Sequence, residues 1–196
     1  MNRKYPALHC ALALLAAMAC AGAPAAETVA DAGKVQPLAV PPVVKGKCAL
    51  CHGEFGEATD GAFPRLAAQN EAYLAKQLND FLSGQRTGSM TRMARGLKPE
   101  DVLAISRYYA AQPGVKPAAP PSELATVGKY LYHNGNAQSG LPACKSCHGE
   151  AAHGTPQLPR LAGQQANYIE RQLTDFNTRK RTNDNAQMQD IAKRLS

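Results

Sequence analysis

The segment Cys48-Ala49-Leu50-Cys51-His52-Gly53-Glu54 recurs later in the chain as Cys144-Lys145-Ser146-Cys147-His148-Gly149-Glu150. Both copies contain Cys-x-x-Cys-His, the attachment sequence for c-type haem. Cysteines three residues apart lie on one face of a helix, so both thiols can reach one porphyrin while the adjacent imidazole meets the iron. We therefore predict two covalently bound c-type haems, attached in pairs through Cys48, Cys51, Cys144 and Cys147 and ligated by His52 and His148.

Zinc binding and disulfide formation are the two alternative roles for the four cysteines. Zinc binds such thiols, but it needs three or four ligands, and neither copy has obvious further ones. Disulfides are common in exported chains. Haem is favoured because the motif occurs twice, followed each time by the same Gly-Glu pair.

The rest of the chain repeats in the same order. The segment Pro64-Arg65-Leu66-Ala67-Ala68-Gln69 matches Pro159-Arg160-Leu161-Ala162-Gly163-Gln164. Further matched pairs are Tyr73 and Tyr168, Gln77 and Gln172, Leu78 and Leu173, Asp80 and Asp175, Phe81 and Phe176, Arg86 and Arg181, and Met90 and Met188. An ordered repeat of this kind indicates a duplicated domain.

The boundary between the copies lies in a proline-rich segment. Four prolines fall between residues 113 and 121, and they cannot continue a helix, so this segment is an extended spacer. We predict a first domain at 27–113, a linker at 114–121 and a second domain at 122–196.

Residues 1–26 are typical of a signal peptide. Arg3 and Lys4 precede an apolar run that is too short to span a bilayer, and small residues follow it. Their removal takes away two basic residues and no acidic one, which lowers the net charge from +7 to about +5. This mild charge, spread along the chain, argues against nucleic-acid binding. No later segment is apolar enough to cross a membrane, so we expect a periplasmic protein.

Apolar periodicity within each copy is helical, and no strand pattern is evident. Leu74, Leu78, Phe81 and Leu82 line one helical face, and the second copy repeats it. A second helix is predicted to begin at Pro99, with its buried side formed by Val102, Ile105, Tyr108 and Tyr109. The segment 124–133 is expected to open the second domain. The predicted fold class is all-α.

A sixth iron ligand is expected after each motif. Met90 and Met188 follow the histidines at similar distances, and a thioether favours reduced iron. Met93 competes with Met90 in the first copy, but it aligns with Ile191. The repeat therefore favours Met90 and Met188.

The paired Cys-x-x-Cys-His-Gly-Glu, Pro-Arg-Leu-Ala-x-Gln and Met-x-x-x-Ala segments resemble those of the dihaem cytochrome c4 family. This resemblance covers the chain from about Cys48 onward. It implies two tandem class I cytochrome c folds packed face to face, each wrapped around one haem. It also implies that Pro64 and Pro159 present carbonyls to the haem histidines, and that Arg65 and Arg160 contact propionates.

The resemblance implies electron delivery in a respiratory chain, often toward a terminal oxidase. The expected partners are therefore redox proteins, a membrane cytochrome complex or an oxidase, and peripheral association with a membrane is left open. The alternative is a cytochrome subunit of a periplasmic dehydrogenase or sulfur-oxidising complex. A dihaem peroxidase is disfavoured because peroxide chemistry needs an open iron position, whereas each copy offers a methionine. We therefore expect no enzymatic activity.

Two further expectations concern the second copy. Arg179-Lys180-Arg181 is either solvated surface or a docking site for an acidic partner. The second copy also stops at Leu195-Ser196, where the first continues into a helix from Pro99 to Gln112. We therefore expect the C-terminal helix of the second domain to be missing, and the natural product to extend by about 15 residues to supply it.

Overall fold

The computed structural model describes residues 38–116 and 122–195, so the predicted signal peptide and most of the linker lie outside the described residues. Within these ranges the regular elements are helices, and extended pairing is limited to one isolated bridge between Asn136 and Leu141. This confirms the predicted all-α class. In the same ranges no helix has both the length and the apolar character that a membrane span requires.

The first copy begins with a π-helical turn, Val44–Cys48, which continues directly into helix α1 (Ala49–His52). Helices α2 (Glu71–Ser83), α3 (Ser89–Ala94) and α4 (Pro99–Ala110) follow. The backbone N–H of Lys98 donates to Asp101 Oδ2 at 3.0 Å, which caps the first turn of α4. The proline at its first position fits there because that residue's N–H has no helical partner.

The core of the first copy lies where α2 packs against α4 and the π-helical turn. Tyr109 and Val44 are fully buried, and Met90 packs against this cluster. The predicted inner side of α4 is confirmed, since all four of its members are buried: Val102, Ile105, Tyr108 and Tyr109.

The second copy contains α5 (Ser122–Asn134), α6 (Lys145–His148), α7 (Ala166–Asn177) and α8 (Gln187–Ala192). Helix α7 packs against α8. The buried apolar residues described here are Leu141, Phe176 and Ala192. On α5, Val127 and Tyr130 are 59% and 62% exposed. The described core of the second copy is therefore smaller than that of the first.

Contacts between the copies join them into one compact unit. The start of the linker takes part, because Val115 lies against the loop that contains Gly163. A Cβ added at Gly163 would lie 2.2 Å from Val115 O, and its φ of +77° also favours glycine. This close approach brings the linker's first residues alongside the second copy.

Candidate redox centres and the interface between them

His52 is the last residue of α1, and its ring is fixed by one hydrogen bond. Its Nδ1 donates to Pro64 O at 2.9 Å, and the residue is buried. Burial lowers the pKa of His52, while the bond to Pro64 raises it to a smaller extent. The imidazole is therefore neutral at pH 7, and Nε2 is the ring nitrogen left for a metal.

His148 repeats this arrangement in the second copy. It ends α6, and its Nδ1 donates to Pro159 O at 3.0 Å. Burial again lowers the pKa of His148, with the carbonyl acting in the opposite direction. Both prolines therefore hold the histidines as the family resemblance implies.

The four cysteines of the two motifs are free thiols. Burial raises the pKa of Cys48 to about 11, against an opposing effect of Lys47. Burial also raises the pKa of Cys144. A dithiol redox centre needs a lowered thiol pKa, so these sites are unlike one. Two cysteines that are not paired in a disulfide and lie one helical turn apart are suited to addition across two vinyl groups.

A tyrosine supports the loop after each motif, a role that no sequence pattern indicated. Tyr109 donates its hydroxyl to Gly53 O at 3.1 Å, and Tyr132 donates to Gly149 O at 2.6 Å. Tyr109 lies on α4 of the first copy, whereas Tyr132 lies on α5, which opens the second. The repeat alignment gives no signal for this pair because the two tyrosines occupy different elements.

The structure separates the two candidate methionines of the first copy. Met90 is half-buried against the core, while Met93 is 38% exposed on the same short helix. Met188 is half-buried on α8. This placement supports Met90 and Met188 as ligands over Met93.

Arg65 and Arg160, predicted to contact propionates, both lie beside the interface. Arg65 donates Nη1 to Gly163 O at 2.7 Å and Nε to Glu57 O at 3.1 Å. Arg160 donates Nε to Ala162 O at 3.0 Å. The propionate contacts themselves stay a prediction.

The inner part of the interface includes two reciprocal glutamine contacts. Gln164 Oε1 accepts the backbone N–H of Arg65 at 2.9 Å, and its Nε2 donates to Arg65 O at 2.9 Å. Gln69 holds Arg160 in the same way, at 2.7 and 2.9 Å. Each glutamine therefore binds the residue that follows the histidine-binding proline of the other copy.

The outer part of the interface is built around two arginines. Arg86 Nη2 donates to Tyr168 Oη at 3.2 Å and to Gln172 Oε1 at 2.6 Å. Arg181 makes the equivalent contacts to Tyr73 Oη and Gln77 Oε1, both at 3.0 Å. Because equivalent residues exchange partners, the interface is self-complementary, as in a symmetric dimer.

The expectation that Arg179-Lys180-Arg181 forms a surface cluster is wrong for Arg181. Its neighbours are exposed, but Arg181 is 8% exposed and its guanidinium stacks over the Phe176 ring at 4.5 Å. Its charge is used within the interface, so it cannot steer a docking partner.

The residues present fit c-type haem. Each copy supplies two free thiols, a neutral histidine with its second nitrogen held by a carbonyl, and a half-buried methionine. His/Met sites of this kind are used for electron transfer.

Comparison with known proteins identifies the family. No family model matches the chain. A cytochrome c4 from Thiocapsa roseopersicina is 42% identical over 155 residues, which cover 77% of this chain and 80% of that protein. A thiosulfate dehydrogenase electron acceptor from Thiomonas intermedia is 38% identical over 151 residues, covering 74% of this chain and 70% of its own length.

The fold agrees with these sequence matches. A solved structure of cytochrome c4 from Acidithiobacillus ferrooxidans aligns with a TM-score of 0.71 at 32% identity, over 77% of this chain and 91% of that one. This chain therefore belongs to the cytochrome c4 family and is, like its relatives, an electron-transfer protein with two covalently bound c-type haems.

Proposed function

We propose that His52 and Met90 ligate one haem iron and that His148 and Met188 ligate the other. The observation that carries this proposal is the matched geometry of the two imidazoles, each bound through Nδ1 to a proline carbonyl at 2.9 or 3.0 Å. When bound, the haem supplies one-electron chemistry at its iron. The carbonyls fix ring orientation, and the methionines raise the reduction potential because a thioether favours the reduced iron.

Spectroscopy of methionine variants tests this ligation. Iron–methionine bonding gives a weak long-wavelength absorption band in the oxidised protein, and two such centres should contribute to it equally. We expect Met188→Ala and Met90→Ala each to remove half of the band and to lower one of the two potentials. Met93→Ala is the matched control, since Met93 is exposed one turn away. A band halved by Met93→Ala but not by Met90→Ala would contradict the assignment.

We propose further that the protein carries electrons in the periplasm, from a membrane cytochrome complex toward a terminal oxidase. The attachment motif reaches the surface in the first copy, where Leu50, between the two haem-bearing cysteines, is 95% exposed. A partner protein can therefore approach the thioether edge of the first haem. The apolar side chain of Leu50 suits transient contact with another protein, because its burial is favourable and leaves no polar group unpaired.

A second candidate is acceptance of electrons from a sulfur-oxidising dehydrogenase. It is favoured by the 38% identity to the thiosulfate dehydrogenase electron acceptor of Thiomonas intermedia. Two reactions distinguish the candidates. The reduced protein is mixed with membranes that contain a terminal oxidase, and the oxidised protein is mixed with thiosulfate dehydrogenase and thiosulfate. Rapid reoxidation in the first reaction without reduction in the second supports the oxidase pathway, and the reverse result supports the second candidate.

We propose export and a two-domain organisation with the boundaries predicted from the sequence. N-terminal sequencing of the periplasmic protein should find residues 1–26 removed. Limited proteolysis should cut first within 114–121, since a proline-rich linker offers an exposed backbone. First cuts inside either haem domain would contradict these boundaries.

A further inference from the structure

Each motif histidine is bound to a peptide group that the other copy holds in place. The carbonyl of Pro64, which accepts from His52 Nδ1, belongs to the same amide as the N–H of Arg65. That N–H donates to Gln164 Oε1 at 2.9 Å. A single amide therefore links His52 to a side chain of the second copy.

The second centre repeats this chain of contacts in the opposite direction. The Pro159 carbonyl accepts from His148, and the N–H of the same amide, on Arg160, donates to Gln69 Oε1 at 2.7 Å. Gln69 is 6% exposed and also donates its Nε2 to Arg160 O at 2.9 Å. Two bonds fix both the position and the plane of the peptide segment.

We propose that Gln69 and Gln164 are positioning residues that act across the interface, each tuning the redox centre of the other copy. The inference rests on the ligation of iron by His52 and His148 proposed above. It concerns only how the protein sets the two potentials.

The direction of the effect follows from the polarity of the amide. A hydrogen bond at the N–H end makes the carbonyl at the other end a better acceptor, because linked hydrogen bonds polarise one another. A better acceptor draws the Nδ1 proton and makes the imidazole a stronger donor to its metal. Stronger donation favours oxidised iron, so each glutamine should lower the potential of the opposite centre.

The same loop therefore serves both centres. Residues 64–69 hold His52 through Pro64 at one end and, through Gln69 at the other, the peptide that orients His148. Residues 159–164 do the same in reverse. Replacing only the glutamine of one loop should therefore change the reduction potential of the opposite centre.

The test measures the two potentials separately. A redox titration of the holoprotein followed by NMR of the haem methyl signals assigns one potential to each copy. We expect Gln164→Ala to raise the potential of the His52 centre and to leave the His148 centre nearly unchanged. Gln69→Ala should give the opposite pattern. Gln164→Glu keeps an acceptor oxygen and adds negative charge, so it should not raise the potential of the His52 centre.

Tyr168→Phe is the matched control, because it removes an interface hydrogen bond to Arg86 and leaves the Arg65 peptide untouched. It should shift neither potential selectively. Equal shifts at both centres in Gln164→Ala, a shift confined to the variant's own copy, or the same pattern in Tyr168→Phe would overturn the proposal. If Gln164→Ala does not fold, a raised His52-centre potential in Gln164→Glu would overturn it as well.

Failure of the ligation proposal has a different signature. If the ligation proposal is wrong, the iron–methionine band will be the same in the methionine variants as in the unmodified protein. Failure of the glutamine proposal would leave those variants behaving as expected while the crossed pattern of potentials is missing.

Discussion

Replacement of Arg181 by alanine should weaken the interface between the two copies more than the same change at Arg86, its counterpart in the first copy. Arg181 is 8% exposed and donates to four side chains. The acceptors are Gln172 at 2.7 Å and, at 3.0 Å each, Tyr73, Gln77 and Asn183. Its stacking over Phe176 adds a cation–π contact.

The magnitude follows from these contacts. A hydrogen bond that involves a charged group contributes about 1.5–3 kcal/mol, and a partly desolvated cation–π pair contributes about 0.5–2 kcal/mol. Two of the bonds, to Tyr73 and Gln77, cross from the second copy to the first. Water can reach the half-buried acceptors once the side chain is gone, so only part of the total is lost. We expect a loss of about 3 kcal/mol in the free energy of unfolding.

Two related variants provide a comparison for the stability lost in Arg181→Ala. Arg86→Ala removes three bonds, but Arg86 is half-buried and lacks the contact to Asn183, so we expect about 2 kcal/mol. Lys180→Ala changes the exposed neighbour of Arg181 and should cost less than about 0.5 kcal/mol. Urea denaturation followed by haem absorbance gives all three values. An Arg181→Ala protein as stable as Lys180→Ala would refute the reasoning.

Two further predictions concern the loops that carry the motifs. Tyr109→Phe and Tyr132→Phe should each lower the free energy of unfolding by about 1 kcal/mol, because each removes one hydrogen bond to a glycine carbonyl. Tyr130→Phe is the control, since its side chain is exposed, and it should cause no measurable loss. Urea denaturation measures all three.

Much of the fold could be predicted from local patterns. The apolar positions of α4 identified its buried side, and Pro99 marked its start. The two Cys-x-x-Cys-His motifs identified the haem centres, because these residues must be adjacent in sequence to act together. Each of these features depends on neighbours within one helix or one turn.

The interface could not be predicted in the same way. On α2, apolar periodicity marked Leu82 as part of the inner face, yet Leu82 is 40% exposed while Gln77 and Asp80 are buried. Those polar residues face the other copy, where arginine and asparagine side chains satisfy them. These polar residues recur in both copies, so the sequence does mark them as a pattern. Their role in the interface could not be predicted, because it depends on a contact between distant segments of the chain.

Most of the interface contacts described above occur in equivalent pairs, one from each copy, but those of Asn183 have no equivalent among the described residues of the first copy. The loop before Met188 is longer than its counterpart before Met90, and it contains Asn183. Asn183 donates to Gln77 and to the buried Asp80, while its own carbonyl accepts from Lys76. No such asparagine precedes Met90, where Thr87 is followed by Gly88 and Ser89.

This asymmetry follows from the fusion of two copies in one chain. In a symmetric dimer, a residue added to one interface loop appears twice and must fit both places. Within a single chain the loop of the second copy can change alone, so it can supply partners for Asp80 that a buried carboxylate needs. The same freedom allows the glutamine contacts to be adjusted one at a time. Because each glutamine contacts the peptide that orients the opposite histidine, two centres with nearly identical motifs can acquire different potentials through changes in loops alone.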